Sequence, residues 1–240
     1  MWPAADSFQD GVACCSSGKA KLQLKSFRSS PELLERKMPT TPKHWNYFLA
    51  VEAELIACAR YIEFSEDNFA CYSNELAKLI VLAAAEVDSI FHELCVHLKP
   101  RAQAKTINDY YPILVERYPR LVECEIAIPR YQLALQPWKD WTAEQRPDWW
   151  SKSYNKLKHE RSAYFSNATL GAALNATAAQ FLALQLYHHA VHGEHVSVDF
   201  STRSALFETK QHEADQSSMC WSYGDPFAHL EPRDPTANVN

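Results

Sequence analysis

"SNELAKLIVLAAAEVDSIFHELCVHL", residues 73–98, decides the fold. Leu76, Leu79, Ile80, Ala83, Val87, Ile90 and Leu94 recur at three- and four-residue steps, which lays one apolar face along a single helix. Ser73 stands where an N-cap hydroxyl is wanted, and Pro100 lies just past the far end. A helix over 73–98 extends roughly 39 Å at about 1.5 Å per residue, the length of a bundle helix.

The neighbouring text has the same period. Trp45, Phe48, Leu49, Leu55, Ile56 and Ala59 predict a helix over 42–62, with Pro42 suited to its first turn. A shorter helix is predicted over 107–117, ended before Pro119. A last long helix opens at Ser166 or Asn167 and carries Leu170, Leu174, Ala178, Phe181, Leu184 and either Tyr187 or His188. Its signal fades after Gly193. Between these lies "LVECEIAIPRYQLALQPWKDW", 121–141, whose alternation fits a strand and whose two prolines fit an irregular packed connection equally well. "HVSVDF", 195–200, reads as a short strand.

The predicted fold is all-α: an up-and-down helical bundle of four to five helices with an irregular insert and loose termini. Residues 1–40 mix Ser, Pro, Gly and charge without a period and read as a flexible extension, the helical text beginning just after Met38. The bundle is expected over 41–195 and an irregular tail over 196–240.

Composition narrows the function. The chain is 240 residues long, 47% hydrophobic and 22% charged, which is globular. Five glycines and no Gly-rich phosphate loop argue against a nucleotide fold of that kind, and no cofactor is implied. A net charge of −5 argues against non-specific DNA coating but leaves room for a local basic face. Seven cysteines without a Cys-x-x-Cys pair indicate neither a disulfide framework nor a zinc knuckle, and fit a reducing, cytoplasmic setting. The first residues lack a secretory pattern, and no window reaches 18 uninterrupted apolar residues, so no membrane partner is expected.

The chemistry-bearing stretch is "WWSKSYNKLKHER", 149–161, opening after Pro147 and Asp148. Read as a helix, it puts Trp150, Tyr154, Leu157 and Arg161 on one row, and Lys152, Asn155, Lys156 and His159 on the next. Five cations (Arg146, Lys152, Lys156, Lys158, Arg161) face only Asp148 and Glu160 over this segment. Aromatic anchoring beside a cationic, titratable row suits phosphate: histidine moves a proton, lysines stabilise anionic charge and asparagine positions a hydroxyl. The same pattern also fits an amphipathic helix with solvated lysines and a histidine at its C-terminal dipole. Glu52, Glu63 and Glu86 fall in or beside apolar stripes and each needs a partner. They serve as internal ion pairs, as edge positions reaching water or, for Glu52 and Glu86, as the orienting partner of a catalytic histidine.

"RYIEF", "YSNELAKLIVLAAAEVDSIF" and "WWSKSYNKLKHER" together resemble the HEPN superfamily of small helical-bundle proteins, over about residues 42–192. Catalytic members are metal-independent RNases with an Arg-x(4–6)-His motif, a polar residue after the arginine, and two such helices facing across a dimer. By that resemblance His159 takes the histidine position and Asn155 the polar one. Tyr154 stands where the arginine belongs, and Lys152 keeps an allowed spacing with a point charge instead of a bidentate fork. The resemblance thus implies a homodimeric HEPN-like module for RNA, nucleotide or a protein partner, non-catalytic because the arginine is missing. The alternative it implies is a metal-independent endoribonuclease of a toxin or phage-defence system. In that alternative His159 is general acid/base, Asn155 the positioner, Lys152 and Lys156 the phosphate clamp, and Glu52 or Glu86 the orienter, with Tyr154 and Arg161 as further ligand contacts. His188, His192 and His195 have a metal-like spacing, but Gly193 breaks their helix and no metal is expected.

Overall fold

The computed structural model describes residues 43–192 and 203–209, apart from the side chain of His192. The expected extension 1–40, the strand read over 195–200 and the rest of the expected tail lie outside the described residues.

Five α-helices pack with a small antiparallel sheet: α1 (Trp45–Cys58), α2 (Asn74–Leu98), α3 (Ile107–Arg117), α4 (Asn155–Tyr164) and α5 (Leu170–His192). Strands β1 (Ile126–Ile128), β2 (Leu133–Leu135) and β3 (Glu208–Thr209) lie in the order β2-β1-β3. The fold is therefore mainly helical, as the periodicity predicts, with both readings of 121–141 realised in part. The alternating residues pair as β1 and β2, while Pro129 opens a 3₁₀ turn that Gln132 closes in the left-handed region.

The long α2 forms where its stripe predicts, and the Ser73 hydroxyl accepts from the Leu76 amide at 3.2 Å. It packs most extensively on α5, and Leu76, Leu79, Ile80, Ala83, Val87, Ile90 and Leu94 are all buried there or against the other helices. Helix α5 is enclosed: none of residues 170–191 is exposed, and Thr177, Gln180 and His188 are buried among its apolar side chains. It starts later than the sequence predicts because 168–170 pair backbone to backbone with 71–73: Ser73 donates to the Ala168 carbonyl and Leu170 to the Cys71 carbonyl. Helix α1 is shorter than predicted at both ends. His44 takes φ 64° and so cannot extend it backwards, and tight turns end it at Ala59.

The insert after β2 is held by aromatic rings. Phe91 of α2 stacks on Trp141 at 5.8 Å and 4°, and Trp138 lies 4.6 Å from Trp141 and 5.4 Å from Trp149. The Trp149 indole N–H donates to the Pro137 carbonyl at 2.7 Å. Truncating buried rings of this kind typically costs about 3–5 kcal/mol. This cluster fixes the platform from which the 149–161 stretch departs. Among the described residues, no helix is long and apolar enough to cross a membrane.

Candidate functional site

The stretch singled out by its charge does not begin as an α-helix. Trp149–Tyr154 form a π-helical turn, and the Asn155 amide reaches back five residues to the Trp150 carbonyl. Such turns interrupt a helix at a cost and recur at functional sites. Trp149, Trp150, Ser153 and Tyr154 turn inward, so the aromatic pair anchors the segment while its basic residues face outward. Asn167 pins the turn from the 3₁₀ turn that precedes α5, donating to the Lys152 carbonyl at 2.7 Å. The following α4 kinks at Glu160 (φ −139°, ψ 43°), which takes Arg161 out of the row with Trp150, Tyr154 and Leu157. Those three are buried and Arg161 is exposed.

Each predicted residue can now be placed. Tyr154 is a core anchor instead of a ligand contact: it is 5% exposed, and its ring lies 4.9 Å from Trp150. Lys152 pairs with Asp148 at 2.6 Å, both more than half exposed. Asn155 is half-buried on the first turn of α4. Lys156 lies 3.3 Å from Glu160 and 4.5 Å over the Tyr164 ring, and the Glu160 hydrogen bond holds its ammonium above the usual lysine range. His159 is exposed and makes no hydrogen bond among the described residues. Arg161 donates to the Asn74 amide oxygen at 2.9 Å and sits 5.8 Å over the Phe165 ring.

Neither carboxylate proposed as an orienter hydrogen-bonds His159. Glu52 is 2% exposed and accepts from Ser204, Ala205 and Leu206. Glu86 accepts from His44 Nδ1 at 2.5 Å, bracing the left-handed residue at the start of α1. Glu86 thus pairs internally with a histidine, whereas Glu52 is held by neutral donors and by no cation among the described residues. The third carboxylate, Glu63, offers its carbonyl to Asn68.

Sequence reasoning counted Lys158 only as charge and passed over three residues that the structure brings to α4: Asp88, Tyr72 and Phe165. Lys158 lies 3.5 Å from the Tyr154 hydroxyl and 5.5 Å over its ring. Asp88 of α2 is half-buried, and burial holds its carboxyl above the usual carboxylate range, against the pull of Tyr110 and of the Lys158 charge. At the other end of α4, Tyr72 is 54% exposed with Phe165 edge-on at 5.6 Å. The signal for Tyr72 and Phe165 was only their nearness in sequence to helix starts, which spacing cannot distinguish from capping.

Two surfaces result. One runs along α4 into the turn after it, where Lys156 lies over the Tyr164 ring, Arg161 over the Phe165 ring, and Tyr72 stands edge-on to Phe165. The other is a shallow cleft of ≈ 550 Å³ under the π-helical turn, lined among others by Lys152, Ser153, Asn167 and Asn175. His188, once considered for metal, donates from Nε2 to the Lys43 carbonyl at 3.0 Å. Among the described residues no group of three His, Cys, Asp or Glu side chains is placed to hold a metal.

No protein-family model, curated protein or solved structure matches the chain.

Proposed function

We propose that the chain is a non-catalytic, HEPN-like binding module that takes single-stranded RNA or a nucleotide on the outer face of α4. The carrying observation is the pairing of cations with aromatic faces along that helix: half-buried Lys156 over Tyr164 and exposed Arg161 over Phe165, with Tyr72 exposed beside Phe165. Nucleobases stack on such rings while cations take the phosphates, and the combination tolerates any sequence. It also suits an acidic chain, because only a local patch is used.

Catalysis is the weaker reading. A histidine acting as acid or base works from a fixed tautomer, usually set by a partner on its other nitrogen. Among the described residues His159 has no such partner, Tyr154 occupies the motif-arginine position from inside the core, and Lys152 is tied to Asp148. A cytoplasmic, reducing setting accompanies this proposal, since Cys58, Cys71, Cys95 and Cys124 are all free thiols.

The test is incubation of purified protein with total RNA in EDTA beside a His159→Ala copy. Intact RNA with both proteins is the expected result. Cleavage by the parent alone would replace this reading with the metal-independent endoribonuclease.

A further inference from the structure

Residues 203–209 lie across a groove made entirely by earlier parts of the chain. Glu52 of α1 forms its polar end. One carboxylate oxygen accepts from the Ser204 hydroxyl at 2.5 Å and the Leu206 amide at 3.1 Å, and the other accepts from the Ala205 amide at 3.1 Å. The Ser204 hydroxyl in turn accepts from the Phe207 amide at 2.8 Å. Leu206 and Phe207 then enter the core at 3% and 2% exposure. The Phe207 ring lies 6.3 Å from Phe48 of α1 and 5.9 Å from Phe181 of α5. Beyond it, Glu208 and Thr209 add an edge strand to β1, and Thr209 Oγ1 donates to Gln185 Oε1 at 2.7 Å.

This is how an extended peptide is recognised by a folded receptor. A sheet edge supplies main-chain hydrogen bonds, pockets take alternate anchors, and a buried acceptor reads one end. Among the described residues, the seven supply this side of the contact and the receiving surface lies in 45–192. Covalent attachment contributes local concentration to those contacts.

We propose that this groove is an exchangeable segment-binding site, and that its second occupant is residues 203–209 of another copy of the chain. An identical segment makes identical contacts, so exchange needs no new interface, which is the low-cost route by which a monomer becomes a dimer. The proposal does not depend on RNA binding at α4, and neither test below involves RNA.

The experiment uses the full chain with Leu206→Ala and Phe207→Ala, which empties the apolar part of the groove, and a fluorescein-labelled peptide of sequence 203–209. Anisotropy should show saturable binding to this variant and at least tenfold weaker binding to the parent, whose own segment competes. Adding Glu52→Gln should weaken the peptide about tenfold more, the worth of charge in a buried acceptor. Ala205→Pro, which removes one donor and no core side chain, serves where the double variant fails to keep the parent's helical circular dichroism. It should bind the peptide more tightly than the parent does. In the second measurement, a Glu52→Gln chain is mixed with the Leu206→Ala, Phe207→Ala chain. Light scattering should show a 1:1 pair at high concentration that neither forms alone. Absence of saturable peptide binding to folded variants, binding indifferent to Glu52→Gln, or a mixture that stays at single-chain mass would each overturn the proposal.

Discussion

Glu52→Gln keeps the shape of the side chain at the head of the groove and removes its charge. The carboxylate is 2% exposed and accepts three hydrogen bonds from 204–206. Bonds to a charged acceptor contribute about 1.5–3 kcal/mol each, and three on one group do not add in full. The amide keeps one acceptor oxygen but turns an N–H toward a backbone N–H, so the loss should be about 2–4 kcal/mol. It has a ceiling: once the segment lifts off, what remains to be lost is the burial of Leu206 and Phe207, at about 1.5–3 kcal/mol each, with the pairing of β3 on β1 and the Thr209–Gln185 bond. Urea unfolding followed by the fluorescence of the seven tryptophans reads this directly. The midpoint should fall, and the slope should fall with it where the segment releases before the bundle unfolds. A double-mutant cycle with Ser204→Ala should give a coupling of about 1 kcal/mol or more. A loss below about 0.5 kcal/mol with no coupling would refute the reasoning, because a buried carboxylate that holds nothing cannot be cheap to keep.

Two further outcomes follow from the structure. Burial pushes the Cys95 and Cys124 thiols up to about 12, whereas Cys71 is exposed, so an alkylating reagent at pH 8 should label Cys71 in the folded chain and reach Cys95 and Cys124 only on unfolding. Peptide mapping of the labelled chain checks this, and prompt labelling of Cys95 in the folded protein would contradict it. Asp109 closes the capping box of α3, where bonds from the Lys105 and Thr106 amides and the Thr106 hydroxyl hold its carboxyl below the usual 3.8. A depressed carboxylate contributes stability above its ordinary value and loses it as pH falls through the folded one. Asp109→Asn should therefore cost about 0.5–1 kcal/mol at neutral pH, toward the low end because the site is exposed. That deficit should vanish as pH drops below 3.8, by parallel denaturation series.

The helices were legible because their chemistry is local. The stripe of α2, Ser73 as its cap and Pro119 after α3 all act within a turn or two of themselves. What was not legible depends on contacts distant in sequence. Nothing near Glu52 announces that its donors lie about 150 residues later, and nothing near His44 announces Glu86. The late start of α5 comes from pairing with 71–73, which no helical period encodes. In the candidate site, the inward turn of Trp150 and Tyr154 was readable as an apolar row. The π-helical turn and the kink at Glu160 were not, since both shift the rows on which Lys152, Asn155, His159 and Arg161 had been aligned.

The central claim is that α4 presents a binding face and not a catalytic one. Its most direct test is anisotropy of a labelled single-stranded RNA 12-mer, titrated with parent, Arg161→Ala and Tyr72→Ala proteins over a salt series in EDTA. Two cations on phosphates predict a slope of about −1.4 in log K against log salt. Arg161→Ala should reduce that slope by about 0.7, while Tyr72→Ala should weaken binding about five- to a hundredfold without changing it. Intact RNA throughout, with these two variants separated in this way, is what the account predicts. RNA that does not bind the parent, or that binds all three proteins alike, would contradict it.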